Sequence, residues 1–132
     1  MKILSLFDGI SCGRVALDRA GIAVDSYAAF EIDKYAKAIS RYNYPDIEQC
    51  GDVFDADFGR FAGYDIVMGG SPCTFWSCAK TNREVDKSGA GWALFMRFAE
   101  AVRVISPPLL FVRKRRVNAS KYKAVYHGGT RR

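Results

Sequence analysis

The sequence predicts an α/β fold in which a mostly parallel sheet carries helices on both faces. Short apolar runs alternate along the chain with segments of helical periodicity, and glycine-rich turns follow several of the apolar runs. This alternation is typical of parallel sheets, because each strand then needs a crossover helix to reach the next. A chain of 132 residues is long enough to bury one hydrophobic core.

The apolar pattern places seven elements in order along the chain. Strands are predicted at 3–7, 25–31, 64–68 and 109–112, and helices at 13–20, 33–42 and 91–105. A short strand also fits the residues before Gly51, and 55–64 is polar enough for a loop or a short helix. Pro107 and Pro108 end the last helix, since proline breaks the helical hydrogen-bond pattern.

Two of the predicted helices have apolar residues at helical spacing. We expect those of the second helix to pack on the sheet: Tyr35, Ala36, Ala38, Ile39 and Tyr42. We expect those of the third helix to belong to the core: Trp92, Leu94, Phe95, Phe98, Val102 and Ile105. One apolar face along a helix is the usual sign of packing against the rest of a domain.

The turn Asp8-Gly9-Ile10-Ser11-Cys12-Gly13, after the first strand, has features of a ligand-binding loop. Glycine allows positive φ and a close approach of the backbone to a ligand, and the start of a helix favours an anionic group. Glu31 follows after about 20 residues, where nucleotide-binding α/β folds place a carboxylate for ribose hydroxyls. The alternatives are glycines that serve packing alone and a carboxylate that is simply solvated.

The stretch Gly70-Ser71-Pro72-Cys73 follows the strand predicted at 64–68. The glycine breaks the strand, and the proline fixes the backbone just before the cysteine. This arrangement suits a thiol presented at the carboxyl end of the sheet, where α/β folds keep their ligand crevice. The alternative is a small buried cysteine after a glycine turn, since free cysteine is among the most buried residue types.

Four stretches, taken together, resemble the DNA cytosine-5 methyltransferase family, and their sequences are most similar to those of the small phage and prophage enzymes. They are Phe7-Asp8-Gly9-Ile10-Ser11-Cys12-Gly13, Glu31-Ile32-Asp33-Lys34-Tyr35-Ala36, Gly51-Asp52-Val53 and Gly69-Gly70-Ser71-Pro72-Cys73. Their order and approximate spacing are those of the family, and the resemblance covers residues 1–112. A lone Pro-Cys pair is weak evidence, whereas the ordered set of four is specific.

The resemblance implies an incomplete Rossmann-like fold of the S-adenosylmethionine-dependent methyltransferases. It also implies ten residues that would bind S-adenosylmethionine: Phe7, Asp8, Gly9, Ile10, Ser11, Gly13, Glu31, Ile32, Asp52 and Val53. Phe7 and Ile32 would pack against the adenine, with Val53 beside it. Glu31 would accept hydrogen bonds from the ribose hydroxyls, and Asp52 would accept one from the adenine amino group.

The same resemblance implies that Cys73 is the catalytic nucleophile and that Pro72 sets its loop. The substrate would be a cytosine flipped out of DNA. Addition of the thiolate to carbon 6 would make carbon 5 reactive enough to take a methyl group, which is covalent catalysis. Cys73 would need a lowered pKa, since the thiolate is the reactive form.

The resemblance ends at Val112. Family members carry a glutamate soon after this point that holds the cytosine, whereas Arg113 stands here, and a guanidinium cannot accept a hydrogen bond. We therefore divide the chain into a partial catalytic domain at 1–112 and a basic, irregular tail at 113–132, with no target-recognition domain. Of the 20 Lys and Arg residues, eight lie in the tail, which has no Asp or Glu, so the net charge of +6 originates there.

Two interpretations of the tail remain open: an arm that binds phosphate, or an aberrant terminus that replaces the rest of a longer enzyme. The second predicts a truncated methyltransferase with impaired or no activity alone. Two other functions are a non-catalytic nucleic-acid-binding protein and one subunit of a split enzyme, whose second chain supplies the missing half.

The four cysteines lack the spacing of a zinc site, and we expect no bound metal. The first predicted strand begins at residue 3 with no signal peptide before it, and no apolar run is long enough for a membrane span. We therefore expect a cytoplasmic protein with reduced cysteines and no membrane partner.

Overall fold

The computed structural model describes residues 1–70, 72 and 89–112. They form five strands: β1 (Lys2–Leu6), β2 (Ser26–Phe30), β3 (Glu48–Gly51), β4 (Ile66–Gly69) and β5 (Leu109–Val112). The α-helices are α1 (Cys12–Arg19), α2 (Lys34–Asn43) and α3 (Ala90–Ile105). Two 3₁₀ helices lie at Val53–Asp55 and Phe58–Phe61. Predicted nucleophile Cys73 and the basic tail at 113–132 lie outside the described residues.

All strand pairs in the sheet are parallel, and the strand order is β3-β2-β1-β4-β5. Leu4 in the central strand pairs with Ala28 on one side and with Val67 on the other. The chain therefore extends the sheet in one direction up to β3 and then returns to the other side of β1. In open α/β sheets the ligand crevice forms at the carboxyl ends of the strands beside such a reversal.

Each face of the sheet packs into its own hydrophobic cluster. One cluster joins the sheet to α3 and the two 3₁₀ helices, with Leu6, Phe30 and Phe98 among its members. The other lies on the opposite face, where Leu17 of α1 packs with Tyr27 and neighbouring strand residues. The prediction of an α/β fold with a parallel sheet and helices on both faces is confirmed, and element ends differ by one or two residues.

The expected packing of α2 is wrong. Its largest apolar side chains, Tyr35, Ile39 and Tyr42, are 69%, 47% and 89% exposed. The buried residue of this helix is Ser40, whose hydroxyl bonds with the hydroxyl of Ser11 at 2.7 Å. A polar contact to the loop after β1, rather than apolar burial, therefore defines the inward face of α2.

Helix α3 packs largely as its sequence predicts. Phe98 and Ile105 are buried, and Leu94 and Val102 pack against the same cluster. Ser106 ends the helix in the left-handed conformation, directly before the two prolines. The helix therefore covers one face of β4 and supports the turns that follow β3.

Candidate cofactor site

An open crevice of about 400 Å³ lies at the carboxyl ends of β1, β2 and β3. The crevice is open to solvent and is lined mostly by apolar side chains, as small-molecule sites usually are. Its residues are Phe7, Phe30, Glu31, Ile32, Gly51, Asp52, Val53, Pro72 and Leu94. Six of the twelve predicted site residues therefore line one crevice, although they come from four separate turns.

The turn after β1 begins at Phe7, which has a positive φ of 57°. This conformation is uncommon for a residue with a side chain and costs about 1 kcal/mol, and such residues cluster at ligand sites. The next amide, that of Asp8, donates to the Phe30 carbonyl at 3.1 Å. The turn is thereby attached to the end of β2, and the Phe7 ring lines the crevice.

Glu31 is held by three backbone amides. Its Oε1 accepts from the amides of Ile32 and Asp33, and its Oε2 accepts from the amide of Gly9, each at 2.8 Å. A carboxylate has about four acceptor positions, so one on Oε2 remains for a ligand donor. Glu31 therefore fixes the loop at Gly9 and also offers an acceptor at the crevice wall.

Asp52 lines the crevice, and one of its carboxylate oxygens is engaged within its own turn. Its Oδ1 accepts from the amide of Phe54 at 2.9 Å and so caps the first 3₁₀ helix. Its Oδ2 has no hydrogen-bond donor within 1–70, 72 and 89–112. The neighbouring Val53 is buried, whereas Ile32 on the other turn is 68% exposed. The crevice therefore combines apolar walls with two carboxylate acceptors.

Three of the predicted cofactor residues lie under the loop and do not line the crevice: Asp8, Ser11 and Gly13. The Asp8 carboxylate accepts from the Ser11 hydroxyl at 2.6 Å and from the Tyr27 hydroxyl at 2.7 Å. A Cβ added at Gly13 would lie 2.5 Å from the sulfur of Met68, so this glycine allows close packing of α1. These residues therefore hold the loop in place through hydrogen bonds and close packing.

The other predicted site residues divide between the loop surface and the part of the chain that is not described. Ile10 is 46% exposed and Gly9 gives its amide to Glu31, and neither lines the crevice. Pro72 does line it, and Cys73 follows outside the described residues. The assignment of Cys73 as nucleophile stays a prediction.

Sequence reasoning missed Phe30 and Leu94 as crevice residues, because both read as ordinary core positions. It also missed Tyr27, whose hydroxyl lies beside Asp8. Burial raises the pKa of this hydroxyl well above its ordinary value, and the charge of Asp8 raises it further. Tyr27 therefore stays protonated and serves as a hydrogen-bond donor.

Among the described residues, no three or more His, Cys, Asp and Glu side chains lie together as a metal site would need. Within the same residues, none of the helices combines the length and apolar character needed to cross a bilayer.

The parallel sheet and its reversal beside β1 define a partial Rossmann-like α/β fold. The family model of C-5 cytosine-specific DNA methylases matches residues 1–112, and the chain belongs to this family. The resemblance noted in the four sequence stretches is thereby confirmed.

Similar proteins come from phages, plants and yeast. The orphan methyltransferase M.SPRI of Bacillus phage SPR is 28% identical over 81% of this chain and 24% of its own length. DNA (cytosine-5)-methyltransferase DRM1 of Arabidopsis thaliana is 32% identical over 78% of this chain and 19% of its own length. The chain thus spans about a quarter or less of these relatives.

Among solved structures, the Dnmt2 methyltransferase of S. pombe is similar in fold. It superposes with a TM-score of 0.60 at 18% identity, over 84% of this chain and 33% of that one. The described strands and helices therefore have the fold of a methyltransferase domain, in part.

Proposed function

We propose that this chain is the cofactor-binding and nucleophile-bearing part of a DNA (cytosine-5)-methyltransferase. The observation that carries the proposal is the crevice itself, where Glu31 and Asp52 offer acceptors beside Phe7, Ile32 and Val53. S-adenosylmethionine, which supplies the methyl group when bound, has an adenosine part with donors that suit these acceptors. The ribose hydroxyls would donate to Glu31 and the adenine amino group to Asp52.

The DNA substrate would be a cytosine flipped from the duplex. The thiolate of Cys73 would add to carbon 6, which removes the aromaticity of the ring and makes carbon 5 an enamine-like nucleophile. Carbon 5 would then take the sulfonium methyl group, with the thioether S-adenosylhomocysteine as the leaving group. A base would remove the carbon 5 proton, and the thiolate would leave as the ring double bond re-forms. Pro72 supports this role because it lines the crevice and directly precedes Cys73.

Calorimetry with S-adenosylmethionine on the full chain tests the proposed cofactor site. Asp52→Asn keeps an oxygen to cap the 3₁₀ helix but sets an amide donor against the adenine amino group. We expect about tenfold weaker binding, since a hydrogen bond to a charged group contributes about 1.5 kcal/mol or more. A folded wild-type chain that does not bind would contradict the proposal.

Asp57→Asn is the matched control for this experiment. Asp57 caps the second 3₁₀ helix, through a bond from the Gly59 amide at 2.9 Å, in the way that Asp52 caps the first. It is exposed and lies outside the crevice. Equal loss of binding in both variants would mean that capping, not cofactor contact, explains the effect.

A second candidate is one subunit of a split methyltransferase, and β5 is the observation that favours it. All four of its apolar residues are exposed at the sheet edge: Leu109, Leu110, Phe111 and Val112. A parallel strand that is apolar on both faces is normally covered on both. If a second chain completes the enzyme, DNA methylation should appear only when both chains are mixed, and it should be lost in Cys73→Ser.

A further inference from the structure

Arg97 on α3 reaches across to the turn that carries Asp52 and Val53. Its Nε donates to the carbonyl of Val53 at 3.0 Å, and its Nη2 donates to the carbonyl of Ala56 at 2.7 Å. The guanidinium carbon lies 4.7 Å from the centre of the Phe58 ring. With its side chain only 18% exposed, Arg97 is fixed between α3 and the two 3₁₀ helices.

The turn that Arg97 holds has weak internal bonding. Its two backbone hydrogen bonds, from the amide of Asp55 to Asp52 and from that of Ala56 to Val53, are 3.2 and 3.3 Å long. Hydrogen bonds from a charged donor are stronger than bonds between neutral groups. The Asp52 cap to the Phe54 amide is a further bond within the turn, and Arg97 adds two charge-assisted bonds that join the turn to α3.

The crevice side of the same turn carries the groups proposed to contact adenine. Val53 lines the crevice, and its carbonyl accepts a hydrogen bond from Arg97, so this residue connects Arg97 directly to the crevice wall. The Asp52 carboxylate is attached to the turn through the Phe54 amide. A shift of the turn would move both residues relative to a bound base.

We propose that Arg97 is a positioning residue that sets Asp52 and Val53 against the adenine and thereby determines selectivity for adenine over other purines. The inference rests on the proposed function, since it needs an adenosine cofactor in the crevice. Arg97 touches neither cofactor nor DNA and acts through the carbonyls of Val53 and Ala56. A purely structural role would weaken every nucleoside ligand equally, whereas this role changes the preference between bases.

The test compares two ligands by calorimetry on the full chain: S-adenosylhomocysteine and S-inosylhomocysteine, which has a carbonyl in place of the amino group. Wild type should prefer the adenine compound about tenfold or more, because the Asp52 carboxylate accepts from the amino group but is repelled by the carbonyl oxygen that replaces it. Arg97→Met keeps the apolar stem but loses the donors, and the preference should fall towards unity. Arg103→Met, an exposed arginine of the same helix, should leave both affinities unchanged.

Arg97→Lys gives a second measurement, which also serves if Arg97→Met does not fold. Lysine presents a compact charge without the planar fork, so it can satisfy one carbonyl better than two. We expect an intermediate preference for the adenine compound.

Three outcomes would overturn the inference. Equal losses for both ligands in the Arg97 variants would assign Arg97 a stabilising role alone. A wild type that binds both ligands equally would mean that Asp52 does not read the amino group, although the nucleoside site would stand. A folded wild type that binds neither ligand would overturn the proposed function as well.

Discussion

The carboxylate of Asp8 accepts a hydrogen bond from the hydroxyl of Tyr27 at 2.7 Å, directly beneath the loop that borders the crevice. The bond joins the turn after β1 to the strand beside it. Ser11 and Ser40 extend the contact to α1 and α2 through bonds of 2.6 and 2.7 Å. The loop is therefore held by a partly buried polar network, in addition to the packing of Phe7 against the core.

Tyr27→Phe removes the hydroxyl from this network while it keeps the ring. We expect a loss of about 1–3 kcal/mol in the free energy of unfolding, because the Asp8 carboxylate loses a donor in a partly buried site. Urea unfolding followed by circular dichroism measures this. Tyr64→Phe is the control, since its hydroxyl makes a longer contact of 3.2 Å with Ser26, and it should cost less. Equal costs would contradict a special role for the Asp8 contact.

Gly69→Ala should prevent stable folding or cost several kcal/mol. A Cβ at this position would collide with the backbone carbonyl oxygen of Leu6 in the neighbouring strand, which cannot move without opening the β1–β4 pair. Gly63→Ala is the control, because its φ is also positive but nothing lies within 4 Å of the added carbon. The control should lose only about 1 kcal/mol of stability, which is the cost of backbone strain alone. Thermal unfolding of both variants measures the difference, and similar melting temperatures would contradict the predicted clash at Gly69.

Alkaline conditions should destabilise the fold above about pH 9. Burial raises the pKa of the half-buried Cys50 thiol from 9.0 to about 11, and burial also raises that of Tyr27. A group whose pKa is higher in the folded state stabilises fully below its unfolded pKa, and this contribution is lost as the pH rises towards the folded value. Urea unfolding from pH 8 to 11 should show the decline. In Cys50→Ala the decline should begin nearer pH 10, where tyrosine ordinarily titrates; an unchanged onset would exclude Cys50 as a contributor.

Cysteine labelling should separate Cys12 from Cys50. Cys12 is exposed, whereas Cys50 is partly buried and stays a thiol at neutral pH because its pKa is raised to about 11. The thiolate is the form that alkylates, so iodoacetamide at pH 7.5 should modify Cys12 at least tenfold faster. Peptide mapping by mass spectrometry gives both rates in one sample. In urea the two rates should converge, and a difference that persisted there would not be due to the fold.

Phe111→Lys should reduce self-association. Phe111 is 67% exposed on the edge strand, and exposed apolar edges promote pairing with other chains. Sedimentation velocity of the wild type should show concentration-dependent oligomers that the variant lacks, with an unchanged melting temperature. Lys37→Arg, a charge-conserving change on α2, is the control and should sediment as the wild type does. A monomeric wild type would refute the prediction.

The order of strands and helices could be predicted because apolar runs and glycine turns mark it directly. Which face of α2 points outward could not be predicted, because Tyr35 and Ile39 have the spacing of a buried face. The contact that sets the inward face is the hydrogen bond between the hydroxyls of Ser40 and Ser11, which apolar spacing does not show. Apolar periodicity shows that a helix has two unlike faces, but it does not show which face meets the sheet when a polar contact competes.

The crevice was predictable in part for a similar reason. Glu31 and Asp52 stand at strand ends, where the topology brings them together. Asp8 and Gly13 also follow a strand, yet they do not line the crevice: Asp8 accepts a hydrogen bond from the Tyr27 hydroxyl, and Gly13 allows close packing against Met68. Arg97 gave no sequence signal, since its partners are backbone carbonyls about 40 residues away in the chain.

The register of β1 also has a kinetic consequence for the crevice. Ile3 pairs with Tyr27 on one side but with Ile66 on the other, so the second pairing must close a loop more than twice as long. The added closure entropy is only about 1 kcal/mol, but distant pairings of this kind slow folding. During synthesis, β1, β2 and β3 can assemble with their three acidic turns before β4 has left the ribosome. Pro72 and Leu94 can complete the crevice only afterwards, so the part of the wall that they supply is the last to form.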